Sequence, residues 1–295
     1  MERGAAPLGG GKRQETARTP KRKRGREAVR RVHPVEAGWQ NGCQLDLILY
    51  VSEMKHRSLT LTVALCSLAL GLSNVNAAHN RLSSSEKKAG WRLLFDGKSL
   101  QGWHNFKASG VKPGWQVKDG TLACVDPHNA GDIVTADKFD AFELQLDYNI
   151  SVGGNSGIMF HVTDEGETAW QTGPEIQLQD NIGGKDGQKA GWLYALYQPA
   201  NDPKTGKPLD ATKPPGKWNH LRIVISPNGS FHEMNGVRYV DYVVGSPDFN
   251  ARVAKSKFGT MPKFAKASSG WIALQGDHGQ VSFRNIKIRP LSAGK

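Results

Sequence analysis

Apolar and polar residues alternate in short segments along most of the chain after residue 90. The clearest segment is FELQLDYNI, from Phe142 to Ile150, in which every second residue is aromatic or aliphatic. A period of two is that of a β-strand with one buried face. The segment therefore predicts a strand that packs one face on a core and turns Glu143, Gln145 and Asp147 the other way.

Turn residues separate these segments. GWQVKDGTLAC predicts a hairpin at Asp119-Gly120, and Asn235-Gly236 predicts a second tight turn, because these pairs accept positive φ at both central positions. Further strands are predicted in WRLLF, PEIQLQD, HLRIVIS, VRYVDYVV, WIALQ, VSF and IKIRP. No segment has a sustained helical period. The pattern predicts an all-β fold, an antiparallel β-sandwich or jelly roll, rather than alternating strands and helices.

Two long stretches lack any regular pattern, Asp180 to Trp218 and Ser246 to Ser269. Both contain aromatic residues. Structureless stretches of this length in a compact domain are usually functional loops.

Composition changes the picture at the N-terminus. The 295-residue chain has a formal net charge of +12, which alone suggests a nucleic-acid binder. However, residues 79–295 hold 26 Lys and Arg against 21 Asp and Glu, a net charge of +5, with no stripe of basic and aromatic residues. Nucleic acid is therefore not an expected partner.

Residues 54–78 are typical of a secretory signal peptide. A basic start at Lys55 to Arg57 precedes an apolar run, Leu59 to Leu72, and small residues end the segment near Ala77. The run is short for a membrane span, so no stable span is expected after cleavage. A buried core helix is the alternative interpretation. The signal predicts a secreted or periplasmic protein.

The predicted organisation has four parts. Residues 1–53 are a disordered basic extension, with KRKRGR at Lys21 to Arg26, or the product of a mis-called start. Residues 54–78 are the signal, 79–90 a polar linker, and 91–293 a single β domain. Cys124 is the one cysteine after the signal, so the domain cannot form an internal disulfide.

The candidate chemistry begins with PEIQLQD. Period two places Glu175, Gln177 and Gln179 on one face and Ile176 and Leu178 on the other. Carboxylate and amide groups in a row suit the hydroxyls of a sugar, and aromatic rings cover its apolar face. A solvated outer face of the sheet explains the same pattern.

Histidines supply the second set of candidates. In GNSGIMFH, a tight turn at Gly154 to Gly157 leads into a strand that places His161 opposite Ile158 and Phe160. LQGDHG adds Asp277 and His278 in a glycine-flanked turn. These two residues suit a metal site, an acid–base pair or a simple turn, and His161 suits a structural hydrogen bond equally well.

Together, several motifs carry a resemblance to a known family. FDGKSLQGW, GNSGIMFH, TGPEIQLQDN, GWLYALYQP, KPPGKWNHLRI and WIALQGDHGQVSFRNIKIRPL occur in order between about Trp91 and Leu291. This set resembles the 3-keto-disaccharide hydrolase family. The resemblance implies a concanavalin-like or laminin-G-like jelly roll that acts on oligosaccharides or glycosides carrying a 3-keto group.

The implied reaction begins with removal of the acidified hydrogen at C2. The glycosidic oxygen then leaves C1, and water adds to complete a net hydrolysis. The resemblance implies Glu175 as the base, with His161 and His278 as further catalytic residues. Candidate substrate-binding residues are Asn155, Gln177, Asp180, Trp192, Tyr194, Trp218, Gln275 and Arg284.

Two further hypotheses stay open. A divalent metal is a candidate cofactor, with Glu175, His161 and Asp277 as ligands, because a Lewis acid stabilises an enolate oxygen. A non-catalytic, lectin-like carbohydrate-binding module is the alternative function, since this fold class hosts many such modules.

Overall fold

The computed structural model describes residues 79–291. The predicted extension and signal, residues 1–53 and 54–78, lie outside this range. Within it the chain forms thirteen strands and two α-helices. The strands are β1 Arg92–Leu93, β2 Trp103–Asn105, β3 Trp115–Lys118, β4 Thr121–Cys124, β5 Ile133–Thr135, β6 Phe142–Ile150, β7 Asn155–Val162, β8 Glu175–Gln179, β9 Asn219–Ile225, β10 Ser230–Met234, β11 Val237–Tyr242, β12 Trp271–Leu274 and β13 Val281–Pro290. The helices are α1 Ser84–Lys88 and α2 Pro247–Lys255, and 3₁₀ turns span Pro127–Asn129, Ala169–Gln171 and Lys257–Thr260.

The strands form two antiparallel sheets. The larger sheet has the order β11-β10-β9-β6-β13-β4-β3, with β1 paired to β13. The smaller sheet has the order β2-β5-β12-β7-β8. Their facing sides share one hydrophobic core. The predicted all-β class and antiparallel jelly-roll sandwich are confirmed.

The core follows the alternation of the sequence. The five apolar residues of β6, from Phe142 to Ile150, are all buried in it. From the smaller sheet, Ile158 and Phe160 of β7 and Ile176 and Leu178 of β8 pack against them. The polar residues of β8 therefore lie on the face turned away from the core.

Both predicted tight turns are present. Asp119 and Gly120 have φ values of 50° and 71° between β3 and β4, and Asn235 and Gly236 have 52° and 83° between β10 and β11. Positive φ at both central positions is the geometry that fits the twist of a hairpin.

Helices α1 and α2 were not predicted. Helix α2 begins after Ser246, whose hydroxyl caps the Phe249 N–H, and has Pro247 in its first turn. At nine residues it spans too few turns to show a sustained period. Helix α1 lies in the predicted linker, where Asn80 exchanges hydrogen bonds of 2.7 and 2.8 Å with Asn285 of β13. None of the helices within residues 79–291 is long and apolar enough to cross a membrane.

Candidate active site

Strand β8 forms one wall of the candidate site. It lies at the edge of the smaller sheet, and the segment 191–194 covers its free side. The Gln177 N–H donates to the Trp192 carbonyl at 3.0 Å, and the Tyr194 N–H donates to the Glu175 carbonyl at 2.9 Å. Backbone groups on the free edge of β8 thereby have hydrogen-bond partners, and the long loop after β8 is held beside the side chains on the outer face of the strand.

The turn after β12 forms a second wall. The Gln275 N–H donates to the Gly157 carbonyl at 2.9 Å, and the Ser156 hydroxyl donates to the Gln275 carbonyl at 2.8 Å. These bonds hold the Asp277-His278 turn against β7, which lies next to β8. Residues about 100 positions apart in the chain therefore border one cavity.

This cavity has a volume of about 230 Å³ and is called the Glu175 pocket here. It is lined by Asn155, Trp170, Glu175, Gln177, Asp186, Tyr194, Lys257, Gln275 and His278. Besides Glu175, five of these residues were predicted from the sequence to bind substrate or to act in catalysis: Asn155, Gln177, Tyr194, Gln275 and His278. The structure thus brings together residues from β7, β8, the 274–279 turn and both long loops.

Glu175 is a buried carboxylate without a hydrogen-bond donor from the described part of the chain. Its side chain lies over β7, where a Cβ atom at Gly157 would overlap the carboxylate. Residue 175 is only 7% exposed, and desolvation raises its pKa to about 7 even though Lys257 acts to lower it. Near neutral pH the group is therefore able both to accept and to donate a proton.

Gln177 lies beside it with an unusual environment. The residue is 1% exposed, and neither its amide nitrogen nor its amide oxygen has a hydrogen-bond partner within residues 79–291. Leaving both ends of a buried amide unpaired costs on the order of a few kcal/mol. The amide borders the pocket, so a bound polar ligand would satisfy it.

Asp277 and His278 form an ion pair through Oδ1 and Nδ1. The hydrogen bond to Asp277 raises the pKa of His278. Below the turn, desolvation raises the pKa of the Asp132 carboxyl to about 6, and the Asp277 charge adds to that effect. His278 is exposed at the rim, where it remains accessible to solvent.

Three lining residues were not among the sequence candidates: Trp170, Asp186 and Lys257. The Tyr194 hydroxyl donates to Asp186 Oδ2 at 2.8 Å, and the Lys257 ammonium lies 4.3 Å from the Tyr194 ring centroid and 5.1 Å from that of Trp170. Asp186 and Lys257 belong to the two long stretches predicted to be functional loops. The sequence thus predicted the two segments as functional but did not single out Asp186 or Lys257 within them.

His161 does not line this pocket, and it does not lie on the face opposite Phe160 where the alternation places it. It has a φ of 54° and sits at a bulge where the pairing of β7 with β12 shifts register. The bulge breaks the alternation, so His161 packs on Phe160 and Phe142 while its Nε2 contacts the Asp140 carbonyl at 2.6 Å. Burial lowers its pKa, which fits a neutral structural histidine.

Two other candidates line no part of the Glu175 pocket. The Asp180 carboxylate accepts the N–H groups of Gly153 and Ile182 at 2.9 Å each and so fixes the turn after β8. Trp192 is buried, and its carbonyl accepts the Gln177 N–H. Asp180 and Trp192 therefore help to shape the walls of the pocket.

Trp218 and Arg284 lie elsewhere, on the outer face of the larger sheet. The Arg284 guanidinium stacks 4.0 Å from the Trp218 ring centroid, and both border an open cavity of about 770 Å³. This cavity is larger than the Glu175 pocket. Arg284 is paired with Asp147 there. The smaller pocket, by contrast, is lined by the buried Glu175 carboxylate and by the Gln177 amide, and neither side chain has a hydrogen-bond partner within residues 79–291.

The predicted metal ligands do not meet, because His161 borders a different cavity from Glu175. Within residues 79–291, no three His, Cys, Asp or Glu side chains are grouped in a way that would hold a metal ion. The donor set therefore does not fit the predicted site of Glu175, His161 and Asp277.

Comparison with known proteins decides the family. The model of the 3-keto-alpha-glucoside-1,2-lyase-like domain matches residues 90–289, about two thirds of the chain. The chain belongs to this family. A 3-keto-disaccharide hydrolase of Bacteroides thetaiotaomicron is 27% identical over an alignment that covers 68% of this chain and 79% of the relative.

Two crystal structures from Parabacteroides distasonis, both provisionally assigned as glycosyl hydrolases, have the same architecture. One is 32% identical with a TM-score of 0.64 and covers 72% of this chain and 100% of its own. The other is 30% identical with a TM-score of 0.52 and covers 68% and 99%. The family resemblance inferred from the motifs is confirmed.

Proposed function

We propose that this family member is a carbohydrate-active enzyme that cleaves 3-keto glycosides in the Glu175 pocket. Removal of the C2 hydrogen, elimination at C1 and addition of water together give a net hydrolysis. The family and the relatives support a glycoside-acting protein. The observation that carries the finer proposal is the buried Glu175 carboxylate, which faces a cavity beside His278 and accepts no hydrogen bond from any residue the structure describes.

Glu175 acts as the base in this proposal. A 3-keto group makes the C2 hydrogen acidic, and a carboxylate with a pKa of about 7 is a stronger base toward it than an ordinary glutamate. General bases work best with a pKa near the working pH and contribute about 10²–10⁴-fold to the rate. An ordinary glycosidase instead uses two carboxyl groups on either side of the bond.

His278 acts as the acid that protonates the leaving oxygen. Its hydrogen bond with Asp277 raises its pKa, so the protonated form persists toward neutral pH. The pocket is smaller than the roughly 300–1,000 Å³ of sites that enclose a drug-sized ligand, so it would hold one sugar ring. The second sugar would extend past the rim, where His278 lies.

Gln177 and the aromatic residues orient the ring. The unpaired amide of Gln177 would hydrogen-bond a hydroxyl or the keto oxygen, which makes the site selective for a ligand that satisfies it. Asn155 and Gln275 offer further polar contacts, and Trp170 and Tyr194 supply apolar surface.

The decisive experiment is incubation of the protein with a 3-keto disaccharide. We expect free sugar to be released, and we expect Glu175→Gln to reduce turnover by about 10³-fold while the fold is retained. A parallel incubation with a chelator tests whether a divalent metal takes part. Binding without release of sugar would favour the lectin-like module, and near-normal turnover by the Gln variant would remove Glu175 from the mechanism.

We propose in addition that the protein is exported, to the periplasm or the medium, by the signal at residues 54–78. N-terminal sequencing of the exported protein would give a start just after Ala77 or Ala78. A start upstream of Val75 would overturn this proposal.

A further inference from the structure

Lys257 has a position in the Glu175 pocket that the proposed base and acid do not use. Of the described residues that line the pocket, it is the one lysine or arginine. Its ammonium lies 4.3 Å from the centroid of the Tyr194 ring, 5.1 Å from that of Trp170 and 5.2 Å from that of Phe258. A cation over aromatic faces is held in place without being neutralised.

Two basic residues near Lys257 in the chain are paired with carboxylates. Lys263 pairs with Glu165, and Arg252 pairs with Asp248. Within residues 79–291, no carboxylate oxygen lies within 4.0 Å of the Lys257 nitrogen. Its positive charge is therefore available to a ligand.

The backbone that carries Lys257 is fixed. The Phe258 N–H donates to the Ser256 hydroxyl at 3.1 Å, and the Phe258 ring is buried and stacks on Phe264 at 3.9 Å. The side chain therefore projects from a short 3₁₀ turn whose position the core determines. The core thus sets the backbone position of Lys257, while its side chain is exposed and reaches the pocket over the Tyr194 and Trp170 rings.

We propose that the Lys257 ammonium is a catalytic group that stabilises the enolate oxygen formed when Glu175 removes the C2 proton. The inference rests on the proposed function. In this step the C2–H bond breaks, its proton goes to Glu175, and its electron pair forms the C2=C3 double bond. The carbonyl π pair moves to the keto oxygen, and Lys257 keeps its own proton while it attracts that charge.

The enolate then collapses without any further reactant. The C3=O bond re-forms, the double bond moves to C1=C2, and the C1–O bond breaks with its pair on the leaving oxygen, which takes a proton from His278. Water later adds hydroxide to C1 and hydrogen to C2. The charge that Lys257 meets exists only between the two bond-breaking steps, so its contribution should affect kcat more than KM.

The test compares Lys257→Met with Lys255→Met, using the full-length protein and a 3-keto disaccharide. Lys255 is exposed at the end of α2, so its variant makes the same change in net charge on the same loop. We expect Lys257→Met to lower kcat by about 10²-fold with KM within about threefold, Lys257→Arg to recover part of the loss, and Lys255→Met to match the wild type.

The pH profile separates this role from an indirect one. The titratable groups that share the pocket with Lys257 are Glu175, Asp186, Tyr194 and His278, and burial raises the pKa of Tyr194 to about 12, above the range tested. If Lys257 acted only by lowering the pKa of Glu175, its loss would raise that pKa and a higher pH would be needed to ionise the base. Activity would then return by about pH 9. A deficit that persists from about pH 6 to 9 supports direct stabilisation.

Each other outcome overturns the assignment. A raised KM with unchanged kcat would make Lys257 a ground-state binding residue, and recovery at high pH would make it a positioning residue for Glu175. If the wild type is active and Lys257→Met turns over at the same rate, Lys257 has no role in the mechanism, and the proposed function stands. An inactive wild type would overturn both this assignment and the proposed function.

Discussion

Two buried glutamates, one on each sheet, have opposite electrostatic environments. Glu143 lies on β6 of the larger sheet and Glu175 on β8 of the smaller one, and both side chains point away from the core. They are 2% and 7% exposed. Position in the strand and burial therefore do not distinguish them.

Their partners do. The Glu143 carboxylate accepts hydrogen bonds from Arg222 and Arg289 at 2.6 Å each and from Gln145 at 2.9 Å. Desolvation is the largest influence on its pKa and would raise it, but these bonds together lower it. Glu175 is desolvated and receives no such hydrogen bond from the described part of the chain, and its pKa rises to about 7.

The difference lies in how each sheet treats its buried glutamate. A paired carboxylate ties three strands together and remains an anion. An unpaired one is destabilised as an anion, and that destabilisation is what makes it basic. The larger sheet thus uses its glutamate for stability, and under the proposed function the smaller sheet uses its glutamate as a base.

The largest expected effect is on stability as a function of pH. Because the folded pKa of Glu175 is raised from 4.5 to about 7, the contribution of this one group to the stability of the folded state is greatest below pH 4.5 and is lost as the pH rises through 7. Glu175→Gln should therefore raise the free energy of unfolding at pH 8 by on the order of 3 kcal/mol and change it little at pH 4.5.

Urea unfolding at both pH values measures this effect, with Glu143→Gln as the matched variant. That substitution leaves Arg222 and Arg289 without their carboxylate, so it should cost about 2 kcal/mol at pH 8, since both arginines are partly exposed. A loss of stability by Glu175→Gln at pH 8 would contradict the contrast, because it would mean that the Glu175 anion is stabilised.

A smaller effect is expected from Gly157, which gives Glu175 its place over β7. An alanine methyl group would overlap the carboxylate and displace it. Displacement of a catalytic group by about 1 Å costs about 10²-fold, so Gly157→Ala should reduce kcat by that factor. Gly110→Ala is the control, because a Cβ atom there meets nothing within 4 Å. Equal activity of the two variants would show that the position of the carboxylate is not critical.

The sequence predicted the sandwich and the two faces of β8 because both depend on local alternation. Ile176 and Leu178 had to face a core, so Glu175 and Gln177 had to face away. The sequence could not distinguish Glu143 from Glu175, because the arginines that pair with Glu143 lie far away in the chain. Arg222 and Arg289 follow Glu143 by 79 and 146 residues.

Two other failures have separate physical causes. His161 was misplaced because a bulge shifts the phase of β7 by one residue, and the sequence marks it only by a residue type that tolerates positive φ. Lys257 was missed because the course of its loop depends on the stacking of Phe258 on Phe264 and on the burial of both rings. Such contacts are visible only once the chain has folded.

The smallest effect is expected at Trp218, which the sequence assigned to substrate binding and the structure places beside Arg284 on the larger sheet. If the chemistry is confined to the smaller sheet, Trp218→Ala should change kcat/KM by less than about twofold. Trp170→Ala, at the Glu175 pocket, should raise KM by about tenfold through the loss of apolar contact with the sugar. Steady-state kinetics on one 3-keto disaccharide measures both. A tenfold loss with Trp218→Ala would mean that the larger cavity also engages the substrate, because the Trp218 ring has no contact with the Glu175 pocket through which to act.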